Sequence, residues 1–127
     1  MTLGERQRQF IFKVAQLIIW CYGRGYELSL GDGYRDPRAF GVSGEAGPYG
    51  SRTSNHKKRL AIDLNLFIDG EYISDGGNPA WQEIGEVWEY LAKDINGRWG
   101  GRFEDANHIE APEHEWRDDE PERPIWL

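Results

Sequence analysis

Cysteine is almost missing from this chain of 127 residues: Cys21 stands alone, so no internal disulfide can form. Its setting in Leu17-Ile18-Ile19-Trp20-Cys21 marks a small buried hydrophobe rather than a nucleophile. Long apolar runs are also missing. The stretch Phe10 to Trp20 is interrupted by Lys13 and Gln16, which leaves nothing long enough to cross a bilayer and argues against membrane insertion. The polar start, Met1 to Gln9, lacks the charged, apolar and small-residue succession of a signal peptide, so the expectation is a soluble chain made in the cytoplasm. Basic charge is scarce. Fifteen Lys and Arg stand against 22 Asp and Glu, a net −7, and phosphate neutralisation needs a clustered basic surface, so nucleic acid is excluded as a partner. The one basic cluster, Lys57-Lys58-Arg59, reads either as a solvated turn or as a contact for an anionic substrate.

The length suits one domain, 1–127, with a core over about 3–111 and an acidic tail over 112–127. Thr2-Leu3-Gly4-Glu5 has capping-box spacing, and Phe10, Val14, Leu17, Ile18 and Cys21 repeat with a helical period. A helix over about 3–22 follows, ended by Gly23 and Gly25. Tyr26-Glu27-Leu28-Ser29-Leu30 alternates as a short strand, and Gly31-Asp32-Gly33 breaks it and presents Tyr34 and Arg35. Residues 36–53, rich in Gly, Pro and Ser, read as a long loop lining or covering a site.

A second strand is expected over about 60–68, with Leu60, Ile62, Leu64 and Leu66 on one face and Ala61, Asp63, Asn65 and Phe67 on the other. Asp69-Gly70 is a two-residue hairpin signal leading to a third, antiparallel strand, Glu71-Tyr72-Ile73. Asn78-Pro79 opens a helix with the apolar stripe Trp81, Ile84, Val87, Trp88, Leu91 and Ile95, closed by Asn96-Gly97. Gly100-Gly101 after Trp99 permit close backbone approach. Arg102 to Ala111 then carries Asp105, His108 and Glu110, the His-Ile-Glu alternation putting His108 and Glu110 on one face, before Pro112 ends any strand. Beyond it lies a loosely ordered tail anchored by Ile125, Trp126 and Leu127, with His114 a solvated residue within it.

The chemistry concentrates in Ser54-Asn55-His56 through Ala61-Ile62-Asp63 and in Asp105-Ala106-Asn107-His108. Zinc takes imidazole nitrogen and carboxylate oxygen, and a catalytic site keeps three protein ligands with one position open. His56, Asp63 and His108 meet that count, and Asp105 is a nearby carboxylate suited to general-base work.

These segments, S-x-H, then D after six residues within an apolar strand, then D-x-x-H, together with Trp99-Gly100-Gly101-Arg102-Phe103 and the upstream Gly33-Tyr34-Arg35, closely resemble the M15 zinc peptidases. The similarity runs over about residues 5–110 and is greatest to phage and prophage L-alanyl-D-glutamate endopeptidases and D-alanyl-D-alanine carboxypeptidases. It implies an α+β fold, a small antiparallel sheet packed with helices and shared with the hedgehog signalling domain. It also implies one Zn2+ on His56, Asp63 and His108, with Asp105 as catalytic base and Arg35 stabilising the carbonyl oxygen. Ser54 and Tyr34 become substrate or supporting contacts. The partner implied is bacterial peptidoglycan, cut by a monomeric enzyme after release from the host cytoplasm. The chain departs from the family pattern in reading Ala106-Asn107-His108-Ile109, where proline and an aromatic often flank the histidine, and in placing Asp rather than Glu at the base position. The alternative is a non-catalytic zinc-containing module of a phage particle, which would need neither Asp105 nor Arg35.

Overall fold

The computed structural model describes residues 1–33 and 54–127. Tyr34, Arg35 and the 36–53 loop lie outside the described residues. Helix α1 spans Leu3–Gly23 and starts with the expected capping box: Glu5 N donates to Thr2 Oγ1 at 3.1 Å, and the Glu5 carboxylate reaches back to the Thr2 N–H. Two otherwise unpaired amides of the first turn are thereby satisfied. Strand β1 (Tyr26–Leu30) pairs antiparallel with β2 (Ala61–Ile68), Leu28 facing Leu66 and Leu30 facing Leu64. Asp69 and Gly70 both take positive φ, 53° and 77°, in the tight turn to β3 (Glu71–Tyr72), which returns along β2. Helix α2 spans Pro79–Leu91, with the Asn78 side chain accepting from Ala80 N at 2.9 Å. Strands β4 (Arg98–Trp99) and β5 (His108–Glu110) complete a five-stranded sheet ordered β1-β2-β5-β4, with β3 on β2. Among the described residues, two helices pack on a small antiparallel sheet, an α+β fold.

Phe10, Val14, Leu17 and Cys21 of α1 meet Trp81, Ile84, Val87 and Trp88 of α2 and the inner residues of β2 in one core. Each such fully buried side chain contributes roughly 1.5–3 kcal/mol. Phe10 and Trp88 pack edge to face, ring centres 5.5 Å apart. Cys21 is fully buried, and burial pushes its thiol up to about 12, which removes it from nucleophilic chemistry. Among the described residues, no helix is long and apolar enough to cross a membrane.

The strand that precedes Pro112 is short, His108–Glu110: Gly100–Phe103 forms a single 3-10 turn, and Glu104 takes φ 62°, so extended pairing cannot begin until the chain has turned. Three expectations need correction. Helix α2 ends at Leu91, and a separate 3-10 turn, Lys93–Ile95, carries the stripe on to Ile95. Ala61, assigned to the outer face of β2, is buried, its small side chain lying where the strand is paired with β5 rather than at a free edge. In the tail, Ile125 is 93% exposed and anchors nothing, whereas Trp126 and Leu127 pack on the core as expected and Trp20 Nε1 donates to Trp126 O at 2.9 Å. Trp116 adds an unforeseen anchor, donating to Asn96 O at 2.8 Å and lying against the Arg102 and Arg117 guanidiniums.

Candidate metal centre and active site

Three separate pieces of chain deliver the site. His56 sits in a 3-10 turn, Asn55–Lys58, whose first amide is capped by Ser54: its Oγ accepts from His56 N at 3.3 Å. Arg59 then takes φ 57° and turns the chain into β2. The basic run is thus not a uniformly solvated turn: Lys57 is buried, and Lys58 Nζ pairs with Glu113 at 2.9 Å. Asp63 lies on β2 directly opposite His108 on β5, and this register brings residues 45 apart in sequence side by side.

The stretch Gly31-Asp32-Gly33 does more than break β1. Gly31 N donates to Asp63 O at 2.8 Å, and Asp63 N donates to Asp32 O at 2.7 Å, so the chain continues alongside β2 past the end of the strand. A side chain at Gly31 would press on Asp63, since a Cβ there would lie 3.0 Å from Asp63 O. The run also delivers the Gly33 carbonyl to His56 Nδ1 at 2.8 Å.

That contact fixes the chemistry of His56. A carbonyl only accepts, so Nδ1 carries the hydrogen and Nε2 turns a lone pair inward. His108 is set the opposite way round: Nε2 donates to Glu110 Oε1 at 2.8 Å, which leaves the Nδ1 lone pair facing inward. The two inward nitrogens are 3.2 Å apart, and Asp63 Oδ1 lies 3.0 Å from His108 Nδ1 and 3.4 Å from His56 Nε2. His56 and His108 are buried, Asp63 is partly buried, and one ligand atom from each falls within 4.8 Å of the others.

With both imidazoles neutral, three acceptors face one another with no hydrogen between them, an arrangement that needs a cation. The donor set of two imidazole nitrogens and one carboxylate oxygen suits a divalent transition metal with positions left open. Without a metal a proton takes that place. Burial opposes a charge on His108, yet hydrogen bonds to Asp63 and Glu110 hold its pKa up at about 9. Burial likewise pushes the Asp63 carboxyl up, but the bonds from His108 and His56 win and hold it well below the usual carboxylate range.

Asp105 stands at the rim. Its side chain is half exposed, with Oδ2 3.8 Å from His108 Nδ1, and the backbone bonds Asp105 N to Gly100 O (2.9 Å) and His108 N to Asp105 O (3.1 Å) hold the intervening turn. Gly100 makes that turn possible: a Cβ there would lie 2.2 Å from Asp105 O and 2.7 Å from His108 Cβ. Trp99 fills the space over Gly85 and Gly101 and donates to Ala106 O at 2.7 Å, buttressing the same turn. A cleft of about 320 Å³ opens beside Asp105, with Asn65, Tyr72, Ser74, Trp81 and Asn107 among its walls.

His56, Asp63, Asp105 and His108 therefore come together, and Ser54 supports the turn that carries the first of them. Glu110 and Asn55 were not singled out as site residues by the motif, yet Glu110 is 4% exposed and binds His108 directly. The His-Ile-Glu alternation placing both side chains on one face was the available signal. His114 is exposed and apart from the cluster.

An M15 peptidase family model, described as D-alanyl-D-alanine carboxypeptidase, matches residues 49–111. No curated protein matches the chain in sequence. Among solved structures, the crystal structure of the L-Ala D-Glu endopeptidase ChiX of Serratia marcescens is similar: TM-score 0.55 and 18% identity over 86% of this chain and 85% of that one, a likeness of fold. Over that segment, which holds all four clustered residues, the chain carries the M15 peptidase family's pattern, and the surrounding fold agrees.

Proposed function

We propose that the chain is a zinc-dependent peptidase that hydrolyses a peptide bond in the stem peptide of bacterial peptidoglycan, as a monomeric phage or prophage endolysin acting on the wall after release. The observation that carries this reading is the triangle of inward acceptors, His56 Nε2, Asp63 Oδ1 and His108 Nδ1, with the Asp105 carboxylate beside it at the edge of an open cleft. The fold neighbour is itself an L-Ala D-Glu endopeptidase, which supports a stem-peptide bond as the target.

A zinc ion on His56, Asp63 and His108 would supply Lewis acidity to water and to the scissile carbonyl. The chain's own residues do the rest. Gly33 O and Glu110 hold the two rings with their lone pairs inward, so no ring rotation has to accompany binding. Asp105, exposed enough to meet substrate, takes a proton from the attacking water and returns it to the leaving amine. Asp63 stays ionised and balances cationic charge in a partly buried setting. Arg35, outside the described residues, takes the oxyanion-stabilising role that the family resemblance implies, with Tyr34 beside it for substrate contact.

Release of free amino groups from purified cell wall, measured with zinc content, tests the reading. Asp105→Ala should keep one zinc per chain and lose roughly 10²–10⁴-fold in rate. Cleavage at the wild-type rate by that variant would sink the assignment of the base, and full activity of metal-free protein would remove the metal. A zinc-loaded chain that releases no amino groups would favour the non-catalytic module instead.

A further inference from the structure

We propose that Glu110 is a positioning residue for the metal centre, one buried carboxylate that braces both histidine-bearing segments and fixes which nitrogen of His108 faces the ion. The inference rests on the metal reading above. Oε1 of Glu110 accepts from His108 Nε2 at 2.8 Å and from Asn55 Nδ2 at 3.2 Å, and Asn55 is the residue immediately before His56. Oε2 accepts from Arg98 Nε at 2.6 Å, and the Arg98 terminal nitrogen closes on the same oxygen. The backbone is held as firmly: Glu110 pairs with Ala61 on one side and Arg98 on the other, and Trp88 Nε1 donates to Glu110 O at 3.1 Å.

The division between the two oxygens is informative. A carboxylate serving only as an ion-pair partner would be satisfied by Arg98. Here one oxygen belongs to Arg98, and the other joins the turn carrying His56 to the ring of His108. Because that ring contact is to an acceptor-only group, it puts the hydrogen on Nε2 and the lone pair on Nδ1, the nitrogen that faces Asp63 and His56. Glutamine keeps the shape but breaks the pattern: one end becomes an NH2 group, which must face either the Arg98 donors or the His108 N–H.

The experiment uses the full chain, with zinc affinity from competition against a chromogenic chelator, the visible spectrum of the cobalt-loaded protein, and nitrogen NMR of the histidine rings. In zinc-loaded wild type, His108 should carry its hydrogen on Nε2 and His56 on Nδ1. Glu110→Gln should weaken zinc binding roughly 10–100-fold and alter the cobalt spectrum, while circular dichroism of the metal-free variant stays that of wild type. A hydrogen on His108 Nδ1 in loaded wild type, or wild-type zinc affinity and cobalt spectrum in the variant, overturns the proposal. Should Glu110→Gln fail to fold, Asn55→Ala removes one arm of the brace: a several-fold loss of zinc affinity supports the proposal, and none overturns it. Wild type that binds neither zinc nor cobalt removes the metal reading itself, an outcome distinct from a variant that binds as wild type does.

Discussion

The carboxylate clusters around Glu89 and Asp63 are built on opposite principles. Glu89 on α2 is 5% exposed and meets donors on every side: Trp99 N at 3.0 Å, Arg102 Nε at 2.6 Å and its terminal nitrogen at 2.7 Å, and Arg117 at 3.2 Å. Nothing is left over. The cluster ties helix, strand and tail together, and its polar groups are paired within the chain. Around Asp63, acceptors outnumber donors, and the two imidazoles turn lone pairs toward the carboxylate. Buried polar groups are ordinarily satisfied internally. A balanced cluster therefore reads as structure, and one short of positive charge reads as a place for a cation.

The contrast can be broken most completely at Asp63. Asp63→Ala should abolish the stabilisation that zinc confers, which for wild type at a hundredfold excess over Kd is about 2.7 kcal/mol, and with it the peptidase activity; thermal unfolding with and without zinc reads the first directly. An undiminished zinc-induced shift in the variant would remove Asp63 from the ligand set.

Gly100 joins the two clusters, since it follows Trp99, whose amide binds Glu89, and lies beneath the Asp105–His108 turn. Gly100→Ala forces a Cβ into Asp105 O and His108, and overpacking of this kind costs typically about 1–3 kcal/mol. Denaturant unfolding should show that cost together with weaker zinc binding, because the turn carrying Asp105 and His108 has to move. Loss of stability with wild-type zinc affinity would mean that the turn yields elsewhere.

The smallest effect sharpens the comparison from the other side. Glu89→Gln keeps the shape and weakens charge-assisted bonds to partly exposed arginines, at a cost of about 1–2 kcal/mol. The zinc-induced increment in unfolding temperature should stay that of wild type, since Glu89 braces neither histidine. A reduced increment would show the two clusters to be coupled through β4.

The elements with local causes were legible in the chain itself. The Thr2–Glu5 box and the 3.6-residue stripe through Phe10, Val14, Leu17 and Cys21 place α1 within a residue of its observed end, Gly23. Asp69-Gly70 specifies the hairpin because so few residues accept positive φ at two adjacent positions. The ordered spacing of His56, Asp63, Asp105 and His108 carried the family, which the matched segment now bears out.

What escaped was set by distant neighbours. Glu89 reads as one more solvated helix carboxylate until the folded chain brings Arg102 and Arg117 to it. The acidic tail reads as loose because its charge hides the packing of Trp116 and Trp126. The sequence alone determined which residues were available as candidate ligands and base, since local spacing and strand alternation settle residue type and face. Only the tertiary structure decided the pairing of Asp63 with His108 and the brace of Gly33, Glu110 and Asn55 that aims the imidazoles, because register and ring orientation come from contacts between segments far apart along the chain.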